Sequence, residues 1–169
     1  KDKHNALLAI SRLTKSRQAA RVVKEVDALM DSSMSEHLES KDFVFLIKQL
    51  GFARRAERAV MLHDQMVALG FEPNVQTYST ALGACTLTFR DIHKKPGYEE
   101  EADQLARTVQ ELYREMVEDS GIEPDCVIHN HRMKMCRSYR DVWEIVERDI
   151  LGKGLQPEPM TITTLIARG

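Results

Sequence analysis

No stretch of the chain stays apolar for anything near the roughly 20 residues that a membrane-spanning helix requires. Cysteine is scarce, three in 169 residues, an odd count that supplies no disulfide framework and fits a reducing compartment. Neither sign of charge dominates: 24 Lys and Arg stand against 26 Asp and Glu, so no global basic excess announces a nucleic-acid partner. Aromatic residues make up only 6% and prolines number five. With no alternating run rich in Val, Ile and Thr, a β-rich fold is excluded and an all-α chain remains. Signatures of catalysis are missing too. There is no phosphate-cradling glycine loop, no nucleophile elbow, and no carboxylate cluster outside Glu99–Asp103, a run that suits the first turn of a helix. The chain therefore reads as non-enzymatic, without cofactor, small-molecule substrate or membrane partner. It begins Lys1-Asp2-Lys3 rather than with Met, which reads as a processed form or a fragment, so a missing targeting segment carries no information.

What the chain does have is one short pattern, three times. Gly70-Phe71-Glu72-Pro73-Asn74, Gly121-Ile122-Glu123-Pro124-Asp125 and Gly154-Leu155-Gln156-Pro157-Glu158 each read glycine, apolar, Glu or Gln, proline, then a polar residue. Glycine takes the left-handed conformation that ends a helix, and the apolar residue folds back on the last turn. Proline forbids continuation and drives the residue before it into extended geometry. Asn74 and Asp125 can then cap the next helix through a side-chain oxygen; Glu158 does so less well. One such stretch is a helix–helix joint. Three of them, 51 and 33 residues apart, indicate a tandem repeat.

The rest of the chain fits between these joints. Residues 1–39 predict a diverged helical hairpin or cap, with Ala6, Leu7, Ile10 and Leu13 at helical spacing, a break near Thr14-Lys15-Ser16, and a second helix lined by Val22, Val26 and Leu29. Residues 40–74 are the cleanest unit. Phe43, Leu46, Ile47 and Leu50 mark its first helix, Gly51-Phe52 its turn, and Ala56, Ala59, Leu62 and Met66 its second helix. The third unit, 75–125, contains extra sequence at 87–98, read as a surface loop with an added turn of the preceding helix. The fourth, 126–158, places Trp143 between stacked hairpins. Residues 159–169 open the first helix of a further repeat, so the array is expected to be longer in the intact protein. Units of this length are helical hairpins that stack because none can bury its apolar face alone.

The stretch Ala59-Val60-Met61-Leu62-His63-Asp64-Gln65-Met66, followed by Gly70, Pro73 and Asn74 and then by Thr77-Tyr78-Ser79-Thr80-Ala81-Leu82 and Ala84-Cys85, resembles the pentatricopeptide repeat. That family's second helix starts at Ala and carries Leu-Phe-x-x-Met, its joint is Gly-x-x-Pro-Asn/Asp, and its first helix opens with Thr-Tyr. The likeness extends to Glu111-Leu112-Tyr113-Arg114-Glu115-Met116 and to both later joints, and covers the chain from about Ser40 onward. The resemblance implies a right-handed superhelical solenoid whose first helices line a concave face, work in a mitochondrion or chloroplast, and single-stranded RNA bound one base per repeat. It also implies base-reading pairs Val44 with Asn74, Ser79 with Asp125, and Asn130 with Glu158, with Thr163 lacking its partner. Lys41, Gln76, Val127 and Met160 would sandwich the bases. Lys41 and Gln76 are polar where the family clamp is apolar, and Val44 offers no hydrogen bond to a base. Those departures favour the alternative, a protein–protein scaffold subunit of an organellar ribonucleoprotein such as a ribosome or transcription complex.

Charge adds a local argument. Between Cys126 and Arg140 lie Arg132, Lys134, Arg137 and Arg140 with no acid, whereas Glu99 to Asp119 is rich in Glu and Asp, as expected if first helices meet phosphates. On a helix Lys134 and Arg137 share a face with Asn130 nearby, while Arg132 points elsewhere. Cys126, His129, His131 and Cys136 do not make a zinc site, because Cys136 lies roughly 15 Å along the helix from Cys126.

Overall fold

The computed structural model describes residues 2–168, the side chain of Arg168 excepted. Every regular element among them is helical: α1 (Lys3–Lys15), α2 (Ala19–Met30), α3 (Ser40–Phe52), α4 (Ala56–Ala68), α5 (Val75–Ile92), α6 (Glu99–Arg114), α7 (Cys126–Met135), α8 (Tyr139–Glu144) and α9 (Pro159–Arg168). The fold is all-α. No helix among the described residues is long and apolar enough to cross a membrane. The chain divides into two compact units, 1–88 and 89–169, with the boundary inside α5.

In the first unit α1 pairs with α2 and α3 with α4. The apolar positions expected from helical spacing are the ones that disappear from solvent: Ile10, Val22, Val26, Phe43, Leu46, Ile47, Leu50, Leu62 and Met66 are all within 1% of full burial. Each such Leu, Ile or Met is worth about 1.5–3 kcal/mol of transfer free energy, far more than local helix propensity supplies. The turn of the second hairpin is not at Gly51-Phe52 as expected. Helix α3 runs through both, because Gly51 lets α5 come close: a Cβ there would sit 3.0 Å from Cα and Cβ of Ala84. One buried group lacks what burial normally demands. His63 on α4 is fully buried, its ring 4.8 Å from that of Tyr78, and neither ring nitrogen has a hydrogen-bond partner among the described residues.

The turns repeat more faithfully than the sequence does. After α1, the Arg17 N–H donates to Thr14 O and the Gln18 N–H to Leu13 O; after α3, the Arg54 N–H donates to Gly51 O and the Arg55 N–H to Leu50 O. Both are Schellman closures with an arginine in the left-handed region, φ 58° at Arg17 and 59° at Arg54. The same closure ends α4, where the Gly70 N–H donates to Val67 O and the Phe71 N–H to Met66 O. All three joint glycines take positive φ, 91° at Gly70, 63° at Gly121 and 72° at Gly154, and the next helix starts five residues later each time. Asn74 Oδ1 accepts from the Thr77 N–H (3.0 Å), and Asp125 Oδ1 accepts from the Ile128 N–H (2.9 Å). Glu158 does not cap; there the Thr161 hydroxyl accepts from the Glu158 N–H at 3.2 Å.

Within residues 87–98, the added helical turn runs as α5 to Ile92, with Phe89 and Ile92 at helical spacing and both buried, while residues 94–98 are exposed. Between Leu87 and Lys95 there is neither glycine nor proline to end the helix. One expectation needs correcting. In the second unit, Val142, Ile145, Val146 and Ile150 pack with Cys126 and Met133 as a core. Trp143 lies about 100° around the helix from Val142, so it faces outward, 42% exposed, stacked on Tyr139 instead of filling a gap between hairpins. Two further features went unforeseen. Both second helices of this unit pass into π turns, Glu115–Asp119 and Ile145–Ile150, the latter followed by a 3-10 turn, Leu151–Lys153.

Candidate functional site

Helices α3, α5, α7 and α9 share one register. Lys41, Gln76, Val127 and Met160 are each the second residue of their helix, and Val44, Ser79, Asn130 and Thr163 the fifth. All four second-position side chains are exposed. The fifth positions differ: Val44 and Ser79 are half-buried, Thr163 is exposed with its hydroxyl donating to Pro159 O, and Asn130 is only 3% exposed. Asn74 is exposed and Asp125 half-buried, each with a carbonyl or carboxylate oxygen held by its cap. Lys41 forms a surface ion pair with Glu39 at 2.8 Å.

In the first unit this register builds a groove between α3 and α5 of about 220 Å³. Val44 and Gln76, assigned to base contact by resemblance, both line it, together with Lys48, Phe52 and Thr80. Gly51 and Ala84 form its floor, where the two helices approach most closely. Phe52 is 48% exposed, and the Lys48 ammonium lies 5.8 Å from the centroid of its ring. The lining includes a cation, an aromatic face and an amide, and no carboxylate. Phe52 escapes a reading that ends α3 at Leu50, and Lys48 escapes one that looks only at the second and fifth helix positions. Continuing the spacing from Lys41 through Val44 to residues 48 and 52 places all four on one face.

The second unit uses its polar residues on itself. Asn130 Nδ2 donates to Glu158 at 3.3 Å, and Asn130 Oδ1 accepts from the Thr161 hydroxyl at 2.8 Å. The reading pair Asn130–Glu158 is thus brought together, but as an internal bond between α7 and the start of α9. Arg132 does point away from Lys134. Its guanidinium lies 3.9 Å over the ring of Tyr113, its Nη1 donates to Asp149 at 2.7 Å, and the same nitrogen is 3.1 Å from Nδ1 of His129. Arg137 does not share a helical face with Lys134: α7 ends at Met135, and Arg137 lies beyond it in an ion pair with Asp103. The basic run is therefore largely neutralised within the unit.

The electrostatics agree. Burial and then the Arg132 charge hold His129 down at about 4; burial and then the Lys134 charge do the same to His131, also about 4. Both imidazoles are neutral at physiological pH. Burial lowers the Lys134 ammonium from its ordinary value, with Arg90 adding to the effect. Burial pushes Asp149 upward, but hydrogen bonds from Arg148 and Arg132 outweigh it and hold the carboxyl at about 2. No group of three His, Cys, Asp or Glu placed to hold a metal ion occurs among the described residues. Cys126 instead lies 3.2 Å from the Thr161 hydroxyl.

A scan against protein-family models finds no match for this chain, and a search of curated proteins finds none either.

Proposed function

We propose that this chain is a non-enzymatic helical-repeat module of pentatricopeptide type, part of a right-handed superhelical array, that binds single-stranded RNA along the first helices of its hairpins in a mitochondrion or chloroplast. The observation that carries the reading is the α3–α5 groove. It combines Lys48, Phe52 and Gln76 without a carboxylate, the mixture of cation, aromatic and amide that single-stranded nucleic acid requires. The common register of α3, α5, α7 and α9 and the three Gly-x-x-Pro joints support the repeat assignment. RNA contact is assigned chiefly to the first unit, because Asn130, Arg132 and Arg137 are already bonded within the second. Lys134, Thr163, Val127 and Met160 contribute at most secondary contacts on this reading. The test is fluorescence anisotropy with a labelled single-stranded RNA across a salt series. Salt-dependent affinity that double-stranded RNA does not share supports the reading; no affinity at low salt from a folded protein removes it.

A second reading, a scaffold subunit of an organellar ribonucleoprotein that docks protein, draws on a different observation. Tyr139 and Trp143 on α8 are 46% and 42% exposed, and Met160, Ile162 and Ile166 on α9 are 49%, 52% and 74% exposed. Apolar surface of that kind on two neighbouring helices is typical of protein contact.

A further inference from the structure

We propose that Phe52 is a stacking platform for one nucleobase and that Lys48 holds a phosphate beside it. This inference rests on the single-stranded RNA reading and makes it specific: the reader in this groove is an aromatic ring at the end of α3, outside the positions assigned by resemblance.

An exposed Phe on a surface helix needs no explanation by itself. Phe52 differs in its surroundings. It stands at the edge of a groove whose floor exists because Gly51 has no side chain and Ala84 sits against it. The groove's width is thereby fixed by backbone contact, not by mobile side chains. One turn back along α3, the Lys48 ammonium lies over the Phe52 ring, 5.8 Å from its centroid, and a base stacking on that face would displace it outward. A base laid on the ring would therefore have its sugar–phosphate within reach of the Lys48 ammonium. Towards the other end of the groove, some two turns along α5 from Ala84, the exposed Gln76 carries both a donor and an acceptor for a neighbouring nucleotide. A phenyl face accepts any base, while an amide can select among base edges. Charge complementarity points to an anionic ligand, since Lys48 is the charged residue lining the groove. An acidic peptide would satisfy Lys48, but it would leave the flat aromatic face without a matching group.

The experiment uses the intact chain and a labelled 12-nucleotide oligo-A RNA, with circular dichroism confirming that each variant is folded. Phe52→Leu, which keeps apolar bulk and removes the π face, is expected to weaken binding roughly 10-fold with an unchanged salt slope, within the range of base–aromatic stacking. Lys48→Gln is expected to reduce the slope of log K against log salt by about 0.7, one phosphate contact on a single strand. Phe52→Trp in a Trp143→Phe background is expected to keep the affinity and to lose indole fluorescence on RNA addition. If the parent binds RNA while Phe52→Leu matches it and the new indole is unquenched, the stacking proposal falls and the RNA reading survives. If the folded parent shows no RNA affinity at low salt, both fall.

Discussion

Replacing His63 with Phe should make the protein more stable. The imidazole is fully excluded from solvent, and its two nitrogens have no hydrogen-bond partner among the described residues. The nearest acid, Asp64, is 3.6 Å from Nδ1 and faces solvent, too far for a hydrogen bond. An unsatisfied buried polar group costs about 1–3 kcal/mol, and phenyl removes that penalty. The ring contact with Tyr78, at 4.8 Å and 52°, survives the change and is worth about 0.5–1.5 kcal/mol when both partners are aromatic hydrocarbon rings. Against this stands one extra ring atom in a packed site, and overpacking of that kind commonly costs 1–3 kcal/mol. With two such nitrogens removed against one overpacking cost, the balance favours the variant by about 1 kcal/mol or more, a rise of about 2–4 °C in Tm per kcal/mol for a chain of this length. His63→Leu separates the terms, since it removes the polar nitrogens without the larger ring. Urea unfolding followed by circular dichroism measures both. Loss of 1 kcal/mol or more in both variants, with the fold intact, would show that the nitrogens are satisfied and would refute the reasoning.

Arg54→Gly should stabilise by up to about 1 kcal/mol, since the left-handed φ of 59° strains a side chain, less what is lost with its 3.1 Å bond to Phe52 O; a fall in the urea midpoint would contradict this. Gly51→Ala should destabilise by about 1–3 kcal/mol, because its Cβ meets Ala84 backbone at 3.0 Å, and an unchanged midpoint would mean that α3 and α5 can separate freely. His129 binds its proton more weakly folded, at about 4 against an ordinary 6.5, so the unfolded chain takes up more protons between those values. Its contribution to stability is therefore full above pH 6.5 and declines by about 3 kcal/mol as pH falls to 4, and His131, held at about 4 in the same way, adds a similar decline; His129→Leu should remove about half of that limb, and an unaltered profile would assign it elsewhere. Trypsin should cut first after Lys94, in the exposed stretch 94–98, since Pro96 protects the bond after Lys95, and not at Arg90 within α5; early cleavage at Arg90 would contradict the helical extension.

Helix spacing was legible because burial follows it. Leu46, Leu50, Leu62 and Met66 sit where periodicity placed them, and Gly70, Gly121 and Gly154 carry the positive φ that their joints required. The errors came where a residue's local preference was overruled by a neighbour distant in sequence. Gly51 reads as a turn until Ala84 is known to lie against it. Arg17 and Arg54 give no sign of left-handed geometry, because arginine is not a residue that seeks it. Asn130 reads as an exposed reader, yet Thr161 and Glu158 claim both ends of its amide. The groove was half legible: Val44 and Gln76 came from the repeat register, while Phe52 was hidden by a helix end placed two residues early.

The two π turns change what insertions and deletions do to this chain. A π turn accommodates one residue more than an α turn over the same helical stretch, so 115–119 and 145–150 each hold a residue that the helix ladder does not need. The first closes with the Ile122 N–H donating to Met116 O, one residue further back than the Phe71 N–H reaching Met66 O after α4. Sequence length and joint position are thus uncoupled at these places. Removing the exposed Val117 should return the turn to α geometry while Gly121 still ends the helix, whereas the same deletion in the middle of α4 would rotate every later core residue out of register by about 100°. Length variation in such a chain can accumulate in its second helices, just before the joints, without disturbing the faces that pack.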